Sequence, residues 1–561
     1  MVPVLQISKK VVASSRDRSI DQFIHAMGCG MDSPIVTQLF RQLFRHPACQ
    51  SRRNLCTANT TTTATAFGAS RQHDRHAYQH QHKHSRQRQH LQRSHEQQRR
   101  TMATRNTVRG EKTSQKNNES NWQQRTEMFS LDMSEEYKKY PTVTAYDLRS
   151  RIERPRRVKM LMRDFIEDSL YNPHYGYFSK QVVIFSPGEP FDFNALPDEP
   201  TFYAQVGQRY TEFEDALDAK EHDDTRQLWH TPTELFRPYY GESIARYLMS
   251  NYIMSTYPYH DLIIYEMGAG RGTLMLNILD YIRDVEPSVY DRTKYRIIEI
   301  SPSLAALQTS QMMADAASRG HASKVEIINK SIFDWDSRVP SPCFFLAMEV
   351  FDNFAHDIVR YDLTTEEPLQ GTVLIDELGD FYEFYEPVLD PIAARYMRVR
   401  YAATGGRYPA PYSSSRLLRS LKRNLPFSPN LSEPEYIPTR LMQFFDILEK
   451  YFPAHRLLTS DFHTLPDAIK GLNSPVVQTR YQRRMVPVTT PLVHQGYFDI
   501  LFPTDFRIME AVYRAITGKL TRTMSHEEFM RSWAYVEDTQ TQSGENPLLS
   551  WYKNASMMAT V

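Results

Sequence analysis

The stretch Leu262-Ile-Ile-Tyr-Glu-Met-Gly-Ala-Gly-Arg-Gly-Thr-Leu274 decides the fold of this chain. Its apolar first half is typical of a buried strand in a parallel sheet, and Glu266 stands at the carboxyl end of that strand. Three glycines at alternate positions follow, and glycine lets a backbone turn tightly and approach a ligand closely. A helix is predicted to begin near Thr273. The sequence therefore predicts a strand, a ligand-binding loop and a helix within an α/β sheet.

The spacing of the glycines distinguishes this loop from a dinucleotide-binding loop. A dinucleotide-binding loop has the pattern Gly-x-Gly-x-x-Gly, whereas the sixth place is occupied here by Thr273. A nicotinamide-dependent oxidoreductase is therefore a remote alternative. A second apolar strand, predicted over 295–300, brings Glu299 to the place where such folds hold ribose hydroxyls. An ordinary strand-to-helix turn without a ligand is the other alternative.

Strands and helices alternate through the part of the chain that surrounds this loop. The predicted strands are 262–266, 295–300, 324–328, 343–348 and 455–460, with a hairpin at 370–389. The predicted helices are 158–170, 272–284, 302–317 and 438–451. Such alternation predicts a parallel sheet with helices on both faces and with ligands at the carboxyl ends of the strands. An acidic stretch at 193–229 is interpreted as a surface insertion.

Two motifs at the loop resemble the MidA family of S-adenosylmethionine-dependent methyltransferases. They are Glu266-Met-Gly-Ala-Gly-Arg-Gly-Thr-Leu274 and Glu299-Ile-Ser-Pro-Ser-Leu304, and the resemblance covers roughly residues 160 to 515. The animal mitochondrial member of that family methylates an arginine of a respiratory complex I subunit. The resemblance implies a Rossmann-like, doubly wound class I methyltransferase sheet, with insertions and with a helical N-terminal region leading into it.

The resemblance also implies S-adenosyl-L-methionine as the cofactor, and no metal site is expected. Backbone N–H groups at the glycine loop suit the cofactor's carboxylate. Arg271 is expected to pair either with that carboxylate or with a backbone carbonyl. Glu266 is expected to hold the cofactor's amine and Glu299 its ribose hydroxyls. The expected cofactor-binding residues are Glu266, Gly268, Gly270, Arg271, Gly272, Glu299, Ser331 and Ile332.

The block Phe345-Leu-Ala-Met-Glu-Val-Phe-Asp-Asn353 resembles the family's acceptor-side block, and it makes Glu349 and Asp352 the expected catalytic residues. Methyl transfer is an in-line displacement that chiefly needs alignment, and carboxylates orient a guanidinium by forked hydrogen bonds. Met348 and Asn353 depart from the family pattern. Three alternatives therefore stay open: a different acceptor, a non-catalytic cofactor-binding assembly scaffold, and a pair of acids that is merely solvated.

Charge separates the amino-terminal region from the rest. Residues 1–100 hold 16 Lys plus Arg against 5 Asp plus Glu, whereas the remaining residues hold 51 against 61. No acidic residue lies from Ser33 to Arg71, and four arginines there punctuate apolar residues at helical spacing. This pattern, which begins near Met31, resembles a mitochondrial transit peptide. We therefore expect a protein of the mitochondrial matrix.

Composition excludes several other classes of protein. The low-complexity tract from Gln72 to Arg100 is expected to be disordered, and it has only Tyr78 to stack on bases, so no nucleic acid is expected as a partner. No apolar run approaches the roughly 20 residues that span a bilayer, so no integral membrane segment is expected. Only Cys343 of the four cysteines lies in the predicted folded part, which excludes a disulfide framework.

Four regions are expected along the chain. They are a disordered basic region with the transit segment at 1–140, a helical and substrate-side region with the acidic insertion at 141–250, the methyltransferase domain at 251–540, and a C-terminal tail at 541–561. The expected function is symmetric dimethylation of an arginine in a respiratory complex I subunit, and thereby complex I assembly. The expected partners are that protein substrate and a second copy of the chain in a homodimer.

Overall fold

The structure is a computed structural model. It describes residues 122–124, 131–180, 182–299, 302–408, 415, 431–466, 468 and 473–561. These residues belong to one unit of the fold, which runs from Ser120 to Val561. The expected transit segment and the tract at 72–100 lie outside the described residues.

The strands of this part of the chain are numbered in chain order. They are β1 Trp122–Gln124, β2 Val158–Leu161, β3 Val182–Ile184, β4 Gln227–Trp229, β5 Leu262–Met267, β6 Thr293–Glu299, β7 Val325–Asn329, β8 Cys343–Met348, β9 Asp357–Tyr361, β10 Pro368–Ile375, β11 Phe381–Glu386, β12 Glu435–Ile437, β13 His455–Phe462, β14 Val476–Tyr481, β15 Arg484–Val488, β16 Asp499–Leu501, β17 Thr521–Ser525 and β18 Ala555–Thr560.

The helices are numbered in the same way. They are α1 Ser134–Lys139, α2 Ala145–Leu148, α3 Met162–Tyr171, α4 Tyr177–Lys180, α5 Glu199–Asp218, α6 Pro232–Leu235, α7 Tyr239–Ser255, α8 Thr273–Val285, α9 Pro287–Tyr290, α10 Pro302–Ser318, α11 Pro391–Thr404, α12 Thr439–Tyr451, α13 Phe506–Thr517, α14 His526–Trp533 and α15 Pro547–Ser550.

A seven-stranded sheet forms the centre of the fold, in the order β17-β18-β13-β8-β5-β6-β7. Strands β13, β8, β5, β6 and β7 run parallel, whereas β18 is antiparallel to both of its neighbours. Side chains alternate between the two faces: Ile264 of β5 joins the core that contains α7 and α8, and Tyr265 joins the core that contains α12 and α13. The expected doubly wound α/β fold is therefore confirmed.

Within the residues that the structure describes, three further sheets accompany the central sheet. One runs β1-β11-β10-β9-β12, with β2 also paired to β10, and β15-β14-β16 and β3-β4 form two more. The predicted helix at 158–170 is wrong over its first four residues, because Val158–Leu161 pairs with β10 and the helix begins at Met162. Val158 and Met160 are both buried at the period of a strand, so tertiary pairing decides their structure.

Two other regions differ from the expectations. The predicted C-terminal tail at 541–561 contains β18, which lies between β13 and β17 inside the central sheet, so it is not a tail. The acidic insertion contains the 20-residue helix α5, which is not confined to the surface. Phe202 of that helix is fully buried and packs edge-on against Trp551, because aromatic burial outweighs the acidic composition. In the described part of the chain, no helix is long and apolar enough to cross a membrane.

Candidate active site

A cavity of about 1800 Å³ lies at the carboxyl edge of the central sheet. Helix α3, strands β3 and β14 and the ends of β5, β6 and β8 contribute to its walls. Seven of the ten residues expected from the sequence line it: Gly268, Gly270, Arg271, Glu299, Ile332, Glu349 and Asp352. The other three, Glu266, Gly272 and Ser331, are buried and are not among the lining residues. The expected loop and the expected acidic pair therefore face one space.

The glycine loop has a backbone that only glycine adopts easily. Gly268, Gly270 and Gly272 have φ angles of +74°, +55° and +79°. A Cβ atom on Gly270 would lie 2.7 Å from Cδ1 of Ile184, and one on Gly272 would lie 2.6 Å from Cγ of Met312. Gly272 also forms the left-handed amino-terminal cap of α8. The loop is thus a close-fitting cradle at a helix amino terminus, which suits an anionic group.

Glu266 lies in the core beneath this loop and is only 3% exposed. The hydroxyl of Tyr295, on the neighbouring strand β6, donates to Oε2 of Glu266 over 2.7 Å. Burial raises the pKa of Glu266 to about 7, although this hydrogen bond acts in the opposite direction. The side chain that was expected to hold the cofactor's amine thus links β5 to β6.

The remaining expected cofactor residues occupy three different positions. Glu299 is the last residue of β6 and lines the cavity, and Arg271 is an exposed residue that also lines it. Ser331 caps a 3₁₀ turn, since its Oγ accepts from the Phe333 N–H over 3.2 Å. That turn presents the buried side chain of Ile332 to the cavity. The turn can therefore supply an apolar wall for a flat ring.

Glu349 follows β8 directly and has a left-handed backbone with φ of +55°. This conformation is uncommon for a residue other than glycine, and such strain is concentrated at functional sites. The Glu349 N–H donates to the Ser460 carbonyl over 2.8 Å, which continues the pairing of β8 with β13. Burial, and then the neighbouring Asp461 carboxyl, raise the pKa of Glu349 well above its usual range.

Asp352 lies in the 3₁₀ turn that follows, and it is 3% exposed. Its Oδ1 is buried and has no hydrogen-bond partner. Burial raises the pKa of Asp352 well above its usual range, and the carboxyls of Asp461, Asp499 and Glu349 raise it further. An orphaned buried carboxyl oxygen calls for an explanation, and a ligand that supplies the missing donor is one.

Asp461, at the end of β13, holds this turn in place. Its Oδ2 accepts from the Phe351 N–H over 2.8 Å, and its Oδ1 accepts from the Phe462 N–H over 2.7 Å. Burial raises the pKa of Asp461 to about 7, and the backbone N–H donors counteract part of that rise. Asp461 directly follows the strand predicted over 455–460, and this position at the carboxyl end of a strand parallel to β8 was the signal that could have identified it.

Asp499, in β16, is a further buried acid that the sequence did not reveal. It lines the cavity, and its Oδ1 accepts from Nδ2 of Asn353 over 2.8 Å. Burial raises the pKa of Asp499 to about 7, against the effect of that hydrogen bond. Its only signal is a polar residue within the apolar run Phe498–Phe502, which does not show which sheet it joins.

Glu349, Asp352, Asp461 and Asp499 are called the acidic cluster below. The charged neighbours that raise the pKa values of Glu349 and Asp352 are other carboxyls of this cluster. When these carboxyls are ionised and no cation lies among them, their mutual repulsion is unfavourable. A cation placed among them stabilises their ionised forms. Three members of the cluster, Glu349, Asp352 and Asp499, line the cavity, where a positively charged group would stabilise their ionised forms.

Comparisons with known proteins identify the family of this chain. The family described as "Putative S-adenosyl-L-methionine-dependent methyltransferase" matches residues 243–524, half of the chain. The protein named "Protein arginine methyltransferase NDUFAF7 homolog, mitochondrial" from Schizosaccharomyces pombe is 23% identical over 67% of this chain and 80% of its own length. Its namesake from Saccharomyces cerevisiae is 22% identical over 57% and 77%.

A solved structure from Burkholderia thailandensis, with S-adenosyl-homocysteine bound, is also similar. It is 16% identical and covers 72% of this chain and 88% of that chain, with a TM-score of 0.45. The mitochondrial localisation expected from the sequence is supported by the names of both yeast relatives. The chain belongs to the matching family of S-adenosyl-L-methionine-dependent methyltransferases, as a divergent MidA-family member whose cofactor is S-adenosyl-L-methionine.

Proposed function

We propose that this chain methylates an arginine of a respiratory complex I subunit in the mitochondrial matrix, by symmetric dimethylation, and thereby supports complex I assembly. The observation that carries the proposal is the acidic cluster, with the orphaned Oδ1 of Asp352 beside the cavity. A guanidinium is a planar cation with several N–H donors, which several carboxyl oxygens match. Both yeast relatives are named protein arginine methyltransferases, which supports the same assignment.

Five of the eight cofactor-binding residues expected from the sequence contact the cofactor in this proposal, and the other three support them. Gly268, Gly270 and Arg271 line the cavity at the amino terminus of α8, where N–H groups and positive charge suit the cofactor's carboxylate. Glu299 accepts the ribose hydroxyls, and Ile332 packs against the adenine. Gly272 and Ser331 set the backbone that presents these groups, and Glu266 holds β5 to β6 beneath them.

When bound, S-adenosyl-L-methionine would supply a methyl group from its sulfonium centre, whose bond to the methyl carbon would break to leave a neutral thioether. The protein's own part is to hold the acceptor nitrogen in line and to accept its proton. Glu349 and Asp352 accept N–H bonds from the guanidinium and keep it in one plane. As the new N–C bond forms, the nitrogen releases one proton, and the Glu349 carboxylate accepts it.

Transfer of tritium from labelled S-adenosyl-L-methionine to mitochondrial extract tests the proposal. The extract comes from cells that lack this protein, so that its acceptor is unmethylated. We expect one labelled protein band, symmetric dimethylarginine in its hydrolysate, and loss of label with Glu349→Gln. Glu326→Gln, at an exposed acid of β7, is the matched control that should remain active.

Two results would contradict this function. Label in a residue other than arginine would exclude the proposed acceptor. Normal complex I assembly with the Glu349→Gln variant, together with no transfer by the wild-type protein, would favour the non-catalytic assembly scaffold. The homodimer stays a prediction, which sedimentation of the purified protein will test.

A further inference from the structure

Tyr552 lies in the turn between α15 and β18, within the segment that the sequence assigned to a tail. The side chain is 4% exposed and lines the cavity. Its hydroxyl oxygen is buried and has no hydrogen-bond partner. A buried tyrosine hydroxyl normally finds a partner, because an unpaired polar group in the interior is costly.

The surroundings of this hydroxyl connect it to the acceptor end of the cavity. Glu349 and Tyr240 are close enough to raise the pKa of Tyr552, after the larger effect of burial. The phenol therefore keeps its proton at working pH and remains a hydrogen-bond donor. Tyr240 in turn directs its own hydroxyl at the Met348 sulfur, 3.9 Å away, in the residue before Glu349. Both tyrosines thus lie near the strained turn that carries Glu349.

A histidine packs beside both tyrosine rings. The ring centroid of His526 is 5.9 Å from that of Tyr552 and 6.0 Å from that of Tyr240. Nε2 of His526 lies 2.9 Å from the Leu548 carbonyl and donates to it, and burial lowers the pKa of this histidine to about 4, so the ring is neutral. It brings no cation that would compete for Glu349.

We propose that Tyr552 binds the molecule that receives the methyl group. Its hydroxyl donates a hydrogen bond to the Glu349 carboxylate and accepts a hydrogen bond from one N–H of that cationic methyl acceptor. This inference rests on the proposed function and adds a residue to its acceptor site. Both hydrogen-bonding capacities of the hydroxyl are then satisfied only when an acceptor is present. The orphaned Oδ1 of Asp352 is explained by the same event, since a guanidinium has donors for both positions.

The competing interpretation is a tyrosine that only fills the core. Its ring packs at 6.3 Å from both Phe236 and Phe462, as a phenylalanine ring would. The two interpretations differ in what the hydroxyl does. A core-filling role makes it dispensable, whereas the proposed role makes it necessary for acceptor binding and dispensable for folding.

Tyr552→Phe removes that hydroxyl and nothing else. We expect its melting temperature to equal or exceed that of the wild type, because no hydrogen bond of the unliganded protein is lost. Affinity for S-adenosyl-homocysteine, measured by calorimetry, should be unchanged. Affinity for an arginine hexapeptide in the presence of S-adenosyl-homocysteine should fall roughly 10- to 100-fold, as for one lost hydrogen bond to a charged group.

Tyr513→Phe is the matched control, because the Tyr513 hydroxyl is buried and bonded, 2.7 Å from Nε2 of His455 and 3.1 Å from Oγ1 of Thr560. It should lower the melting temperature and leave peptide affinity unchanged. Equal peptide affinity of the wild type and Tyr552→Phe would overturn this inference alone. A wild-type protein that neither binds the arginine peptide nor methylates the extract would overturn the proposed function, and this inference with it.

Discussion

Asp499→Asn should make the protein more stable while weakening its acceptor site. The carboxyl of Asp499 is buried, and its pKa is raised from the usual 3.8 to about 7. An acid whose pKa is higher in the folded state loses its proton on unfolding between those two pH values, so stability falls as pH rises through that window. At about 1.4 kcal/mol per pKa unit, the raised pKa of Asp499 lowers the free energy of unfolding by about 4 kcal/mol above pH 7.

Asparagine has no proton to lose, and its amide oxygen can still accept from Asn353. The variant should therefore equal the wild type in acid and exceed it increasingly toward pH 8, with about 3 kcal/mol of the gain above pH 5. Urea unfolding of the two proteins at a series of pH values measures this difference. A variant that is no more stable than the wild type at pH 8 would refute the reasoning.

A control of opposite sign is available in the same molecule. Glu435 is as buried as Asp499, but Arg400 pairs with it. Glu435→Gln should destabilise the protein at pH 8, because it leaves a buried guanidinium without its carboxylate. Stabilisation by both substitutions would mean that any buried charge is harmful here, irrespective of its partner.

Three further predictions concern the cofactor, the acceptor and targeting. Glu349→Gln should reduce methyl transfer by about 100-fold or more at unchanged S-adenosyl-homocysteine affinity, and an equal loss in both would place Glu349 in the cofactor site. Glu299→Ala should weaken cofactor binding by about 1.5–3 kcal/mol in calorimetry, whereas Gly268→Ala, which forces a Cβ into a left-handed backbone, should abolish it. Deletion of residues 31–60 should leave a fluorescently tagged protein in the cytosol, and continued import would exclude the transit segment.

The glycine loop was predictable because its signal is local. An apolar strand, alternating glycines and a helical pattern occupy consecutive residues, and the structure has β5 and α8 within one residue of the predicted bounds. Glu349 was expected from the resemblance of the block Phe345–Asn353 to the family, and the structure places it directly after β8, a strand that is parallel to β5. Residues at the carboxyl ends of neighbouring parallel strands lie close together, so their proximity can be predicted without further knowledge of the fold.

Asp499 and Tyr552 were not predictable, because their signals are not local. Asp499 reaches the cavity through the small sheet that β16 forms with β14, and Tyr552 reaches it through the turn before a reversed strand. No repeat or motif in the sequence predicts either of these strand pairings. The prediction of a helix over 158–161 was wrong for the same reason, because the pairing of these residues with β10 overrides a sequence pattern that is compatible with a helix.

The reversed strand β18 also sets the order in which the sheet can be assembled. It lies between β13 and β17, although both precede it in the chain. Until residues 555–560 are in place, β13 has an open edge and β17 has no strand to join. Open edges pair with other chains, and distant pairings form slowly. A chain that ends before β18 would therefore expose the unpaired edge of β13 and would be prone to aggregate. Chaperones would have to shield that edge during synthesis and import.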